Sequence, residues 1–191
     1  MMKTFLPVVC LFLVSIASGC GSSPSSARAP RPLDPTAFGQ VYKFADNEIN
    51  GWTQDPASDG FWVGTDLVAG SIDGAAQAYF DQGFVQGMFQ NLDAPNSQFC
   101  TVRAMDFGTA QKATAMYASA QSTSISQSTA IPPYDLSIAI GNAAASGLSV
   151  YAHFGASYFE VFLSGLGDQK STCTECPVAQ QFLDDLKKKT N

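Results

Sequence analysis

The chain has 191 residues, 46% of them hydrophobic and 14% charged, a globular composition sized for one core, so a two-domain enzyme is excluded. Ten Lys and Arg against 16 Asp and Glu leave a formal charge of −6. No basic surface is on offer to neutralise phosphates, and nucleic acid is excluded as a partner.

Met1 to Lys3 form a short positive segment, and Phe5 to Ile16 an apolar run too short to act as a stop-anchor helix. Small residues follow, as an export cleavage site requires. The quartet Ala17-Ser18-Gly19-Cys20 resembles the lipobox of bacterial lipoproteins, with Ala17 where leucine is usual. That resemblance implies that residues 1–19 are a signal peptide and that Cys20 receives a diacylglyceryl thioether. It further implies an acylated, palmitate-type amino end after cleavage, with the membrane as partner through this N-terminal lipid. Several acyl chains hold a protein far better than one. Gly21 stands where an aspartate would retain a lipoprotein at an inner membrane, which implies the outer membrane of the cell envelope.

Residues 20–32 are rich in Ser, Pro and Ala with no apolar periodicity, and read as a flexible tether. A single domain is expected over 33–191. Between residues 33 and 186 only Lys43, Arg103, Lys112 and Lys170 are basic against all 16 acids, so the domain is far more acidic than the whole chain. Lys187 to Lys189 close it with a basic tail.

In chain order, Val68, Ile72, Ala75, Ala76 and Tyr79 fall at helical spacing before Gly83 and predict a helix over 68–81. Strands are expected over 84–91 and 98–106, joined across Asp93-Ala94-Pro95-Asn96. Ala113, Met116, Tyr117 and Ala120 predict a second helix capped near Thr109. A Ser/Thr-rich polar loop runs on to Pro133, and Leu136, Ile138 and Ile140 then alternate as in a strand. From Leu148 to Leu163 the alternation fixes a register. With a two-residue turn at Gly155-Ala156, Leu148 meets Leu163, Val150 meets Val161 and Ala152 meets Phe159 on one face. Tyr151 then meets Glu160, and His153 meets Tyr158, on the other. Val178, Phe182, Leu183 and Leu186 predict a closing helix with Pro177 in its first turn and lysines at its end. The whole reads as α+β, an antiparallel sheet of about five or more strands packed with about three helices.

Three segments carry a second resemblance: Asp46-Asn47-Glu48-Ile49-Asn50-Gly51-Trp52; Ile72-Asp73-Gly74-Ala75-Ala76 with Tyr79 and Gly83-Phe84; and Met105-Asp106-Phe107-Gly108 before an Ala-Met-Tyr helix. Together they look like a family of uncharacterised exported bacterial proteins over most of residues 40 to 165. The resemblance implies one domain and brings no activity. Asp73 and Asp106 each flank glycine, where turn or helix-start geometry explains them.

Asp46, Glu48 and Asn50 alternate ahead of Gly51 as oxygen ligands do at the opening of a calcium loop, although the twelfth position is Ala57 in place of the bidentate Glu. The plainer reading is an acidic turn that seats Ile49 and Trp52 in the core. Beyond Cys20, the domain's cysteines are Cys100, Cys173 and Cys176. Cys173-Thr174-Glu175-Cys176 has the CxxC spacing of thiol oxidoreductases, with Cys176 at a helix start that lowers a thiol's pKa. Without a βαβ unit, a structural disulfide from Cys100 to Cys173 or Cys176 is the expectation, ahead of thiol exchange or a zinc site shared with His153. On the derived hairpin Tyr151, His153, Tyr158 and Glu160 share a face, either as a binding surface or as cross-strand packing under a helix. No G-x-S-x-G elbow and no glycine-rich phosphate loop occur. The sequence calls for no cofactor. The reading that results is a non-catalytic binding or interaction domain for an envelope protein or a small-molecule ligand.

Overall fold

The computed structural model describes residues 33–64, 76–123, 147–164 and 176–191. All belong to one compact unit, Pro32–Asn191. Helix α1 (Pro35–Tyr42) leads into strand β1 (Thr53–Val63), followed by helix α2 (Ala76–Asp81), strands β2 (Gln86–Ala94) and β3 (Gln98–Asp106), and helix α3 (Ala110–Thr123). Strands β4 (Gly147–Phe154) and β5 (Ser157–Ser164) form a hairpin, and helix α4 (Cys176–Thr190) closes the chain. The five strands make one antiparallel sheet in the order β1-β2-β3-β5-β4. The fold class is α+β.

The β4–β5 hairpin has the register that its alternation dictates: Leu148 opposite Leu163, Val150 opposite Val161, Ala152 opposite Phe159, Tyr151 opposite Glu160 and His153 opposite Tyr158. Gly155 takes the first turn position at φ +55°, which an L side chain resists, so glycine there locks the register. β3 lies where expected, and β2 starts two residues later and runs on through Asp93 and Ala94 to a single 3-10 turn at Pro95–Ser97. Thr109 caps α3, its hydroxyl accepting from the Lys112 amide at 3.3 Å. Of the expected helix over 68–81, the portion Ala76–Asp81 is helical. Its first residues, the polar loop, the 136–140 strand, the signal segment and tether, Asp73 and Cys173 lie outside the described residues.

Two elements escape the sequence patterns. α1 is set by Asp34, whose carboxylate accepts from the Ala37 amide at 2.9 Å, and by Pro35 in the first turn. It buries Phe38, Gly39 and Tyr42. A side chain at Gly39 would enter the Phe61 ring, its Cβ falling 2.2 Å from a ring carbon, so glycine is what lets α1 lie on β1. β1 is an edge strand whose pairing with β2 shifts between Asp55 and Gly60. Pro56, Asp59 and Gly60 erase the period-two signal there.

Each sheet face carries its own core. The first buries Met88, Leu92, Cys100, Val102, Ala104, Val150, Phe159 and Val161 beneath α1, the 44–52 turn and α4. From α4 come Ala179, Phe182, Leu183 and Leu186, the three large ones each contributing about 1.5–3 kcal/mol by burial. Gln90 is buried among them because its amide grips the Phe44 backbone twice, accepting from the N–H and donating to the carbonyl, both at 2.9 Å. Lys189 at the end of α4 lies 4.0 Å from the centre of the Phe44 ring, pairs with Glu48 at 2.7 Å and donates to the Lys43 carbonyl at 2.7 Å. The second face buries Trp62, Tyr79, Phe84, Met105, Phe107, Met116, Tyr117 and Tyr158 under α2 and α3.

Candidate functional site

Pairing β3 against β5 lines up side chains across the second face in rows. One row runs Phe89, Arg103, Glu160, Tyr151. The next runs Asn91, Thr101, Phe162, Ser149. Residues so opposed sit within side-chain contact of each other. Thr101, Arg103, Ser149, Tyr151, Glu160 and Phe162 line a half-open cavity of about 200 Å3.

Glu160 forms the back wall and is 8% exposed. Its Oε2 accepts from Arg103 Nη1 at 3.0 Å. Its Oε1 accepts from the Tyr158 hydroxyl at 3.3 Å and, in a closer contact, from the Tyr79 hydroxyl of α2. A buried carboxylate needs such partners, and here both oxygens have them. The phenols answer in turn. Burial, reinforced by the Glu160 charge, pushes Tyr79 and Tyr158 far above the ordinary tyrosine range. Burial first and Glu160 second also raise Tyr151, with a Ser149 hydrogen bond and Arg103 working the other way. The rings of Tyr151 and Tyr158 are near-parallel at 9° and 6.4 Å apart. Thr101 donates to Asn91 Oδ1 at 2.7 Å, and Phe162 packs against Phe99 at 5.8 Å.

Of the four residues expected to share a binding face, Tyr151 and Glu160 border the cavity. Tyr158 is fully buried behind them. His153 turns toward α3, with its ring 5.3 Å from that of Tyr117, and burial lowers its pKa. The face is thus part surface and part packing. Arg103, Thr101, Phe162 and Tyr79 are not among the residues the sequence assigns to that face. The β3–β5 pairing, a long-range contact, brings Arg103 and Thr101 to Glu160, Phe162 lies two residues further along β5 itself, and Tyr79 arrives from a helix.

The acidic turn holds its oxygens close. Asp46 Oδ1 accepts from the Gln54 amide at 2.8 Å, Glu48 Oε2 accepts from the Ala45 amide at 2.8 Å, and Glu48 Oε1 faces Lys189. Ile49 and Trp52 are buried, as the plainer reading has it, and Asn50 is exposed. Among the described residues no group of three or more His, Cys, Asp or Glu is arranged to hold a metal ion. Asp106 is spent likewise, accepting from the Gly108 amide at 2.7 Å and from Gln86 at 3.2 Å.

Cys100 is a free thiol in this structure and fully buried. Burial raises its pKa well above the usual value. It lies on the first face and His153 on the second, so a zinc ion held by both is excluded by the thickness of the sheet. Cys176 begins α4. Its side chain, like Cys173, lies outside the described residues.

Fold and cavity together define a single α+β domain with a small cavity of mixed polar and aromatic lining on one face of its sheet. No family model matches the chain, and no curated protein matches it. Among solved structures it is similar to the extracellular domain of PknH from Mycobacterium tuberculosis, with 11% identity and a TM-score of 0.46, over 82% of this chain and 92% of that one. A likeness at this level says nothing about what this chain binds. Among the described residues no helix is long and apolar enough to cross a membrane.

Proposed function

We propose that the chain is an exported bacterial envelope protein, moored by lipid at Cys20 to the outer membrane, whose α+β domain binds a small molecule in the Arg103–Phe162 cavity without transforming it. The lipobox resemblance at residues 17–20 supports the mooring. One observation carries the binding role: the ionisable groups of the cavity wall are already spent on each other. Glu160 accepts from Tyr79, Tyr158 and Arg103, and the phenols are held protonated. Those contacts tie the carboxylate to its own neighbours, and a wall of internally paired groups suits recognition.

The test is a melting-curve screen of the intact protein against fractionated small-molecule extracts of the envelope. A fraction that raises the midpoint for the native protein and leaves Phe162→Ala unmoved supports the reading. Fractions that stabilise both proteins equally, or none, contradict it.

A further inference from the structure

We propose that the cavity over Phe162 takes one neutral, polyhydroxylated sugar ring, a reading that rests on the domain being a small-molecule binder. Charge sets the first limit. Arg103 and Glu160 neutralise each other at 3.0 Å, so an entering anion meets no unmatched cation. The domain around it has four basic residues against 16 acids between positions 33 and 186, and its field repels anions further. A cation fares no better, because both Glu160 oxygens are already engaged.

Hydrogen-bonding capacity sets the second. A guanidinium carries five N–H donors, and Arg103 spends Nη1 on Glu160. The Thr101 hydroxyl gives its proton to Asn91 and so faces the cavity as an acceptor. Ser149 and Tyr151 add two hydroxyl groups to the lining, each able to donate and to accept. Arg103 N–H donors and the Thr101, Ser149 and Tyr151 hydroxyl oxygens therefore share one rim. Sugar hydroxyls, each donor and acceptor at once, match that pattern, and simple carboxylates or amines do not.

Shape sets the third. Phe162 offers an aromatic surface to the cavity, buttressed by the tilted ring of Phe99 at 5.8 Å. The C–H face of a pyranose stacks on such a ring while its hydroxyl edges reach the polar rim. At about 200 Å3 the cavity falls below the roughly 300–1,000 Å3 of drug-sized sites. One ring fits.

Methyl glucoside, methyl galactoside and N-acetylglucosamine serve as neutral probes, with glucuronate and glucosamine as charged rings of the same size. At least one neutral sugar at about ten times its Kd should raise the melting midpoint of the intact protein by about 3 °C. Its charged counterpart should bind at least about tenfold more weakly, and so should the same sugar to Phe162→Ala and to the milder Tyr151→Phe. A trisaccharide of the preferred sugar that binds no tighter identifies a free sugar as the source, and one about tenfold tighter identifies a glycan chain. Preference for a charged ring, binding indifferent to both substitutions, or no response to any neutral sugar overturns the proposal. A fraction from the envelope extract that still depends on Phe162 would then leave the binder standing with another ligand class.

Discussion

Arg103 and Glu160 stand directly opposite each other on β3 and β5 and close an ion pair at 3.0 Å in the cavity wall. Removing one partner leaves the other charge without its match in a half-dry site, which costs more than the pair itself contributes. Arg103→Met should therefore destabilise the domain by about 2–3 kcal/mol in urea unfolding. Adding Glu160→Gln should return part of that loss. A double variant whose loss equals the sum of the two single losses would show that the pair is not coupled.

The tyrosines behind Glu160 give a pH dependence with a definite sign. A phenol raised on folding stabilises the native state fully below its unfolded pKa of about 10. That contribution is lost as pH climbs beyond it. Above pH 10, Tyr79 and Tyr158 should each make stability fall by about 1.4 kcal/mol per pH unit, because the unfolded chain releases their protons first. Absorbance titration should show these two of the six tyrosines ionising only together with unfolding. Six phenols titrating reversibly near pH 10 in folded protein would refute the buried network.

His153 acts at the other end of the scale. Its pKa is lowered by burial against Tyr117, so the unfolded chain binds the proton more readily than the native one. Stability should fall as pH drops below the unfolded value of about 6.5. His153→Gln should flatten that limb of a melting-temperature profile measured from pH 7.5 to 5.5. An unchanged slope would place the histidine in water.

Cys100 sits in the first core with a raised pKa. Alkylation of native protein at about pH 8, near the free thiol's own pKa, should leave it unlabelled, and urea should expose it. Peptide mapping without reductant decides the rest: a Cys100 peptide linked to Cys173 or Cys176 would restore the bond expected from the sequence.

What the sequence disclosed and what it hid divide along contact distance. The β4–β5 register was legible because alternating Leu148, Val150, Ala152, Phe159, Val161 and Leu163 leave one way to put apolar side chains on one face, and Gly155 marks the turn. α3 and α4 announced themselves by buried residues three and four apart. β1 did not, because its bulge at 55–60 replaces alternation with Pro, Asp and Gly. α1 is held by a single Asp34 cap and by close packing through Gly39, neither of which leaves a periodic trace. The cavity was half legible. Tyr151 and Glu160 follow from the hairpin, and Phe162 lies on the same strand as Glu160, whereas Arg103 and Thr101 join them only through the β3–β5 pairing, which no local pattern encodes.

Mooring at residue 20 frames the whole reading and is settled by weighing the mature protein. Intact-mass measurement on protein extracted from envelopes should give a chain that starts at Cys20 and carries the added mass of a diacylglyceryl group and one further fatty acyl chain, while Cys20→Ala loses that mass and leaves the membrane fraction. A mature chain that begins at another residue, or one that begins at Cys20 without added lipid, would contradict it.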